Sequence, residues 1–278
     1  MSMYPPAEVA KNYVNIGHAK VNTPISKMIV LGILAGMFIA LAAVGCNTAS
    51  STIANPSLAK LLGASVFPVG LIMTLVAGSE LFTGNTLIVI PLLERKVSFG
   101  GMIKNWIFVY IGNLIGSLLV VFIAAAGIQW GMFGGDLAVT TIKVAATKIN
   151  LGFGPALALG IGCNFLVCIA VWLSFAAKDV AGRVLGIYMP IMLFVLSGFE
   201  HCVANMYFIP AGIVAAMNDK FMGLAVEAGV KNLDTLTWGN FFTGNLVPVT
   251  IGNIIGGSIL VGCLYWFSYL KKAAEKTN

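Results

Sequence analysis

The sequence predicts an all-α polytopic membrane protein whose six transmembrane helices form two inverted three-helix repeats, with the second and fifth helices broken. Three observations predict it. Of the 278 residues, 59% are hydrophobic and only 9% charged, against about 25% charged in soluble domains, and the mean hydropathy is +0.94. The charges gather at the ends and in short loops between long apolar runs, as in membrane helices. Two of these runs carry a polar interruption of the form G-x-E-x-x-x-x-N, as Gly78, Glu80, Asn85 and as Gly198, Glu200, Asn205. Broken apolar segments at matching places in two halves point to a substrate site at the repeat interface.

The elements follow in order, and the whole of 1–278 reads as a single transmembrane channel domain. Residues 1–25 are mixed and polar and show no apolar run leading to a cleavage site. Within them, residues 5–22 predict an amphipathic helix, with Pro5 and Pro6 in its first turn. Val9, Tyr13, Val14 and Ile16 form a face turned to the membrane or to a neighbour, and His18 reads as a solvated surface histidine. Residues 26–270 form the six-helix region. The first span, 26–46, carries Gly32, Gly36 and Gly45 with Ala35 and Ala40, which suit close helix contact. A polar loop at 47–60 precedes the second span, 61–91, interrupted at 79–85. The third span is 103–128, a loop covers 129–150, and the fourth span is 153–177. The fifth, 184–216, holds the second interruption, where Gly198, Asn205 and Pro210 favour a break. A loop at 218–237 leads to the sixth span, 238–270, and residues 271–278 form a tail.

Six spans put both termini on one side. Eleven Lys and Arg residues lie on that side, ending with Lys271, Lys272 and Lys276. Five lie opposite: Lys60, Lys143, Lys148, Lys220 and Lys231. The positive-inside rule places both termini in the cytoplasm, in a multi-pass protein of the cytoplasmic membrane. The halves repeat in sequence as well: IGNLIGSLLV at 111–120 echoes IGNIIGGSILV at 251–261. Asn105 precedes Gly112, and Asn245 precedes Gly252, by the same seven residues. Three spans per half make the repeat an inverted one.

The same reading narrows function. A formal charge of +6 comes without a basic cluster interleaved with aromatics, so no nucleic-acid partner is expected. The five cysteines make no C-x-x-C pair, which argues against a zinc site or disulfide framework. Glu200-His201 is not H-E-x-x-H, and His18 is the only other histidine, so neither a metal, a cofactor nor an enzyme is expected. The expected partners are lipid and a small substrate.

A helix broken inside a bilayer frees N–H and C=O groups that must be satisfied by protein or line a wet cavity. New half-helix N-termini attract small anions. Thr83 offers a hydroxyl there, and His201 an imidazole able to donate a hydrogen bond or a proton. Glu200 either clamps the loop or lines the path; Glu80 reads as an anchor. Phe67 and Leu71 share a helix face, Leu81 and Phe82 adjoin Thr83, and Phe194 stands seven residues before His201. Such residues are either core or, beside polar breaks, narrow constrictions. Lys148 reads as a lone cation at the outer end of the fourth span.

Four stretches carry a resemblance: SELFTGN at 79–85, CNFLVCIAVW at 163–172, SGFEHCVANM at 197–206 and NLVPVTIGNIIGG at 245–257. They resemble the formate/nitrite transporter family over nearly the whole chain. The resemblance implies an aquaporin-like topology, a homopentamer with one pore per protomer, and passage of small monovalent anions of weak acids. Formate is the first choice, with hydrosulfide or nitrite as alternatives. It also implies pore roles for Thr83, His201, Asn164 nearby and Lys148, and constriction roles for Phe67, Leu71, Leu81, Phe82 and Phe194. A proton-coupled transporter would use the same pore. A water channel is less consistent, because the paired N-P-A motifs of aquaporins are absent.

Overall fold

A computed structural model describes residues 3–271. Residues 272–278, with Lys272 and Lys276 of the topology count, lie outside the described residues. The described chain is helical throughout: α1 (Pro6–Asn22), α2 (Ile25–Ser50), α3 (Pro56–Val76), α4 (Phe82–Leu93), α5 (Phe99–Ala126), α6 (Asp136–Ile149), α7 (Phe153–Ala176), α8 (Val180–Leu196), α9 (Cys202–Ala216), α10 (Asp219–Glu227) and α11 (Trp238–Tyr269). Among the described residues, α2, α3, α5, α7 and α11 are each long and apolar enough to cross a membrane. The fifth span read from the sequence, 184–216, is divided between α8 and α9, neither of which reaches that length alone; α9 does so only together with α10, across a bend of 101°. The outer surface is apolar, with Phe99, Phe122, Leu185 and Met189 all strongly exposed, the inverse of a soluble protein.

The breaks fall at 77–81 and 197–201, and each contains a left-handed glycine, Gly78 (φ 86°) and Gly198 (φ 74°). An L-residue is strained there. Asn205 and Pro210 take no part in breaking the fifth span. Both sit inside α9, which runs through them. The break in the second span also ends sooner than expected, because α4 has already begun at Phe82.

Three expected loops are shorter than the sequence suggested. Residues 129–150 contain α6, whose Leu137, Ala138, Thr141, Ile142, Ala145 and Ile149 are buried at helical spacing. Its threonines and lysines had masked that face. Residues 218–237 contain α10, capped by Asn218, which accepts from the Phe221 N–H at 3.3 Å. The 47–60 loop shrinks to 51–55, because α2 runs on to Ser50 and α3 opens at Pro56. Asn55 caps α3 by accepting from the Leu58 N–H at 3.0 Å. In α11, π-helical stretches cover 241–246 and 255–263.

The two halves pack alike. In the first, α2 crosses α5 at glycines: a Cβ on Gly112 would stand 2.9 Å from Gly32 Cα and 2.6 Å from Ile29 O. In the second, α7 crosses α11 in the same way, and a Cβ on Gly160 would stand 2.8 Å from Val249 O and 3.3 Å from Gly252 Cα. Backbones this close are the membrane solution where lipid supplies no hydrophobic drive between helices. The amphipathic α1 turns its face not to lipid but to its own bundle. Val9, Tyr13, Gly17 and Val21 are buried, and the Tyr13 hydroxyl donates to Gly84 O at 3.3 Å.

These crossings generate a test. Gly112→Val should lower the detergent melting temperature markedly and reduce the yield of folded protein. Gly100→Ala, whose added Cβ meets nothing within 4 Å, should leave the melting temperature unchanged or raise it slightly. Equal melting temperatures for the two variants would contradict the packing.

Candidate functional site

Both breaks are held by the same four side chains. In the first half, Lys20 Nζ donates to Glu80 Oε1 at 2.7 Å. Asn85 Nδ2 donates to Glu80 Oε2 (2.6 Å) and to Asn105 Oδ1 (2.8 Å). Asn105 Nδ2 returns to Lys20 O at 3.1 Å. In the second half, Lys148 Nζ donates to Glu200 Oε1 at 2.7 Å. Asn205 Nδ2 donates to Glu200 Oε2 (2.6 Å) and Asn245 Oδ1 (2.7 Å), and Asn245 Nδ2 returns to Lys148 O at 2.9 Å.

One more asparagine per half carries the freed backbone. Asn113 Oδ1 accepts from the Phe82 N–H, while its Nδ2 donates to Gly32 O and Glu80 O. Asn253 Oδ1 accepts from the Cys202 N–H, while its Nδ2 donates to Gly160 O and Glu200 O. The backbone groups of the broken helices thus find partners inside the protein. Glu80 is the anchor the sequence suggested. Glu200 is its counterpart, and its carboxylate is engaged in the clamp.

Against this symmetry the halves differ at the residue that follows the glutamate. One residue after the glutamate, Leu81 and His201 share nearly the same backbone, φ −110° with ψ 124° and φ −110° with ψ 115°. Leu81 gives α4 no side-chain cap. His201 caps α9: its Nδ1 accepts from the Ala204 N–H at 3.0 Å. An accepting Nδ1 carries no proton, so the neutral ring holds its proton on Nε2. Nε2 lies 2.9 Å from Thr83 Oγ1 and donates to it. The contact joins the two breaks across the interface of the halves. Asn164 supports it from behind, its Nδ2 donating to Thr83 O (3.2 Å), Thr86 Oγ1 (3.0 Å) and Asn253 O (2.6 Å). Asn164 therefore reaches His201 only through Thr83.

The apolar candidates separate into two groups. Phe67, Leu71, Leu81 and Phe194 line one cavity with His201, and the Phe67 and Phe194 rings meet edge-on at 5.6 Å. Leu71 and Leu81 also line a second cavity with Tyr13, Lys20, Ser79 and Asn85, and so stand as the partition between the two. Phe82 is set apart from both. Its ring packs edge-on against Tyr110 (4.8 Å) and Trp106 (6.0 Å). Leu81 is extended and Phe82 begins a helix, so neighbouring side chains leave in different directions.

Lys148 is not the lone cation of the fourth span. It lies in the last turn of α6, paired with Glu200, with its ammonium 5.3 Å from the Phe208 ring centroid. Lys20, read from the sequence only as a topology marker, is its equivalent. The signal was present: Lys20 stands twelve residues before Gly32, and Lys148 twelve before Gly160. Tyr13, on the wall of the second cavity, had no such signal.

The sequence model of the family described as Formate/nitrite transporter matches residues 7–267. The chain is 42% identical to the Uncharacterized transporter YrhG of Bacillus subtilis, covering 98% of this chain and 96% of that one. It is 40% identical to Formate channel FocA of Escherichia coli K12, covering 96% and 95%. Among solved structures it is similar to a pentameric formate channel with formate bound, with a TM-score of 0.78 and 36% identity, covering 89% of this chain and 98% of that one.

The clamps generate a test. The Lys148 and Glu200 side chains are 16% and 6% exposed, so removing one charge strands the other in a dry site. Lys148→Met should cost about 3–5 kcal/mol, read as a lowered unfolding midpoint in detergent. The double variant Lys148→Met, Glu200→Gln should recover much of that loss. Strictly additive losses would show that the two charges are not coupled.

Proposed function

The chain belongs to the formate/nitrite transporter family, and on that premise we propose that it is a channel for small monovalent anions of weak acids, formate first among them. The observation that carries this reading is the His201–Thr83 contact at 2.9 Å. It offers two donor groups, a ring N–H and a hydroxyl, beside an apolar cavity. A bare anion in such a place has lost its hydration, which is costly, and donors fixed at that point replace part of it. The formate named for the similar channels supports the choice of anion.

On this reading Phe67, Leu71, Leu81 and Phe194 form the constrictions, and His201 and Thr83 the polar point between them. Asn164, Glu200 and Lys148 hold the breaks that present that point. Phe82 belongs to the packing behind it. We place the termini in the cytoplasm, with residues 1–25 on that side of a six-helix region at 26–270, and the protein in the cytoplasmic membrane. We also assign it a homopentameric assembly. The apolar exterior and the pentamer named for the similar solved channel support that assignment.

The hydrogen-bond pattern favours donation over proton relay. With Nδ1 engaged by the Ala204 N–H, losing the Nε2 proton would leave an imidazolate, so His201 acts by lending its N–H. The test is formate flux into liposomes for three proteins across pH. His201→Phe removes both cap and donor and should lower flux about 10- to 100-fold, the worth of a hydrogen bond to a charged group. His201→Asn keeps a good N-cap and a donor, and should retain most of the flux with a pH profile parallel to that of the parent. A pH dependence present in the parent and lost in His201→Asn would instead establish the relay. Leu81→Ala should raise flux by opening the partition, and a fall in properly assembled protein would remove Leu81 from the path. Absence of formate flux in the parent protein would overturn the reading as a whole.

A further inference from the structure

We propose that Lys60 forms the outer capture site for the permeating anion, a role its neighbour Lys148 cannot fill alone because it is already neutralised by Glu200. The inference rests on the channel reading above.

The placement of Lys60 follows from helical spacing. It stands seven residues before Phe67 in α3, two turns along the same stripe. Ala64 and Phe67 on that stripe are 0% and 2% exposed. Leu58, Leu61 and Leu62, on the flanking faces, are exposed. The stripe therefore runs from Lys60 at the open end to Phe67 at the wall of the cavity that holds His201. Phe67 stacks on Phe208 at 6.3 Å between centroids, and the Lys148 ammonium lies 5.3 Å from that second ring. Lys60 is within electrostatic reach of both Lys148 and Glu200. Lys148 therefore approaches the aromatic pair directly, and Lys60 stands on the helix stripe that leads to it.

Charge arithmetic gives the site its sign. The two ion pairs among the described residues are Lys20–Glu80 and Lys148–Glu200. Lys60 has neither an ion pair nor a side-chain hydrogen bond among the described residues, and it is exposed. Two lysines and one carboxylate leave a surplus of one positive charge beside the apolar constriction. A surplus cation with low-dielectric walls focuses its field outward and raises the local concentration of small anions.

The repeat shows that the scaffold does not require a lysine there. Every member of the clamp has an equivalent in the other half. Lys60 lies eighteen residues before Gly78, and the residue eighteen before Gly198 is Val180. A cation needed to hold the bundle would be expected twice, like Lys20 and Lys148. Lys60 occurs once, at the mouth to which topology assigns the outside.

The experiment is formate uptake by right-side-out membrane vesicles, measured against concentration at low and high ionic strength. Lys60→Gln should raise KM severalfold at about 10 mM salt, where the Debye length is about 30 Å, and little at about 300 mM, where screening is strong. Maximal flux should stay unchanged, and Lys60→Arg should restore the parent KM. Lys231→Gln, which changes a charge outside the α3 stripe, should leave KM as it was. An unchanged KM for Lys60→Gln at low salt would overturn the capture site, as would a loss of maximal flux independent of salt. Either result, with the parent still passing formate, would leave the channel reading intact. A parent protein that passes no formate would refute that reading instead.

Discussion

A helix interrupted inside a bilayer leaves backbone N–H and C=O groups that lipid cannot satisfy. The architecture depends on how those groups are provided for. Each half uses one lysine, one glutamate and three asparagines, of which Asn113 and Asn253 sit on helices that cross their neighbours at glycines. The carboxylate of Glu80 or Glu200 receives an ammonium on one oxygen and an amide on the other. A buried charge left unpaired in such a place is strongly destabilising, so the clamp is stable only when complete. Completeness explains the close crossings at Gly32–Gly112 and Gly160–Gly252. They bring Asn113 and Asn253 within reach of both break and neighbouring helix.

Symmetry of support makes the asymmetry of the site informative. The same backbone position carries Leu81 in one half and His201 in the other, so one break offers an apolar wall and the other a hydrogen-bond donor. Thr83 lies on the side of the leucine, and Nε2 of His201 meets it across the interface. The polar point is therefore assembled from both halves and exists only when they dock correctly. Asn164, bound to Thr83 O and Asn253 O at once, fixes that docking.

The spans, both breaks and the repeat were legible because apolar runs, glycines and the G-x-E-x-x-x-x-N pattern are local signals. The pairing of His201 with Thr83 was legible in part, since both fall in the breaks. Three features were hidden for identifiable reasons. Helix α6 intersperses Thr140, Lys143, Thr147 and Lys148 between its buried positions, so composition made it resemble a loop. Lys148 looked unpaired because its partner is 52 residues away, and no periodicity links them. Phe82 looked like a partner of Leu81 because they are adjacent, yet the chain passes from extended to helical between them and sends the two side chains apart. In each case a long-range contact or a change of backbone state overrode the local pattern.

What His201 can do for a passing anion depends on which of its ring nitrogens carries the proton. Nitrogen-15 magnetic resonance of the protein labelled at histidine, with His18 removed by substitution to leave one signal set, reads this directly at neutral pH. The geometry predicts a bare Nδ1 that accepts from the Ala204 N–H and a protonated Nε2 that donates toward Thr83. A proton on Nδ1 would contradict the account, because the half-helix would then lose its cap, and Nε2 would either be bare and unable to donate or belong to an imidazolium that can pass its proton on.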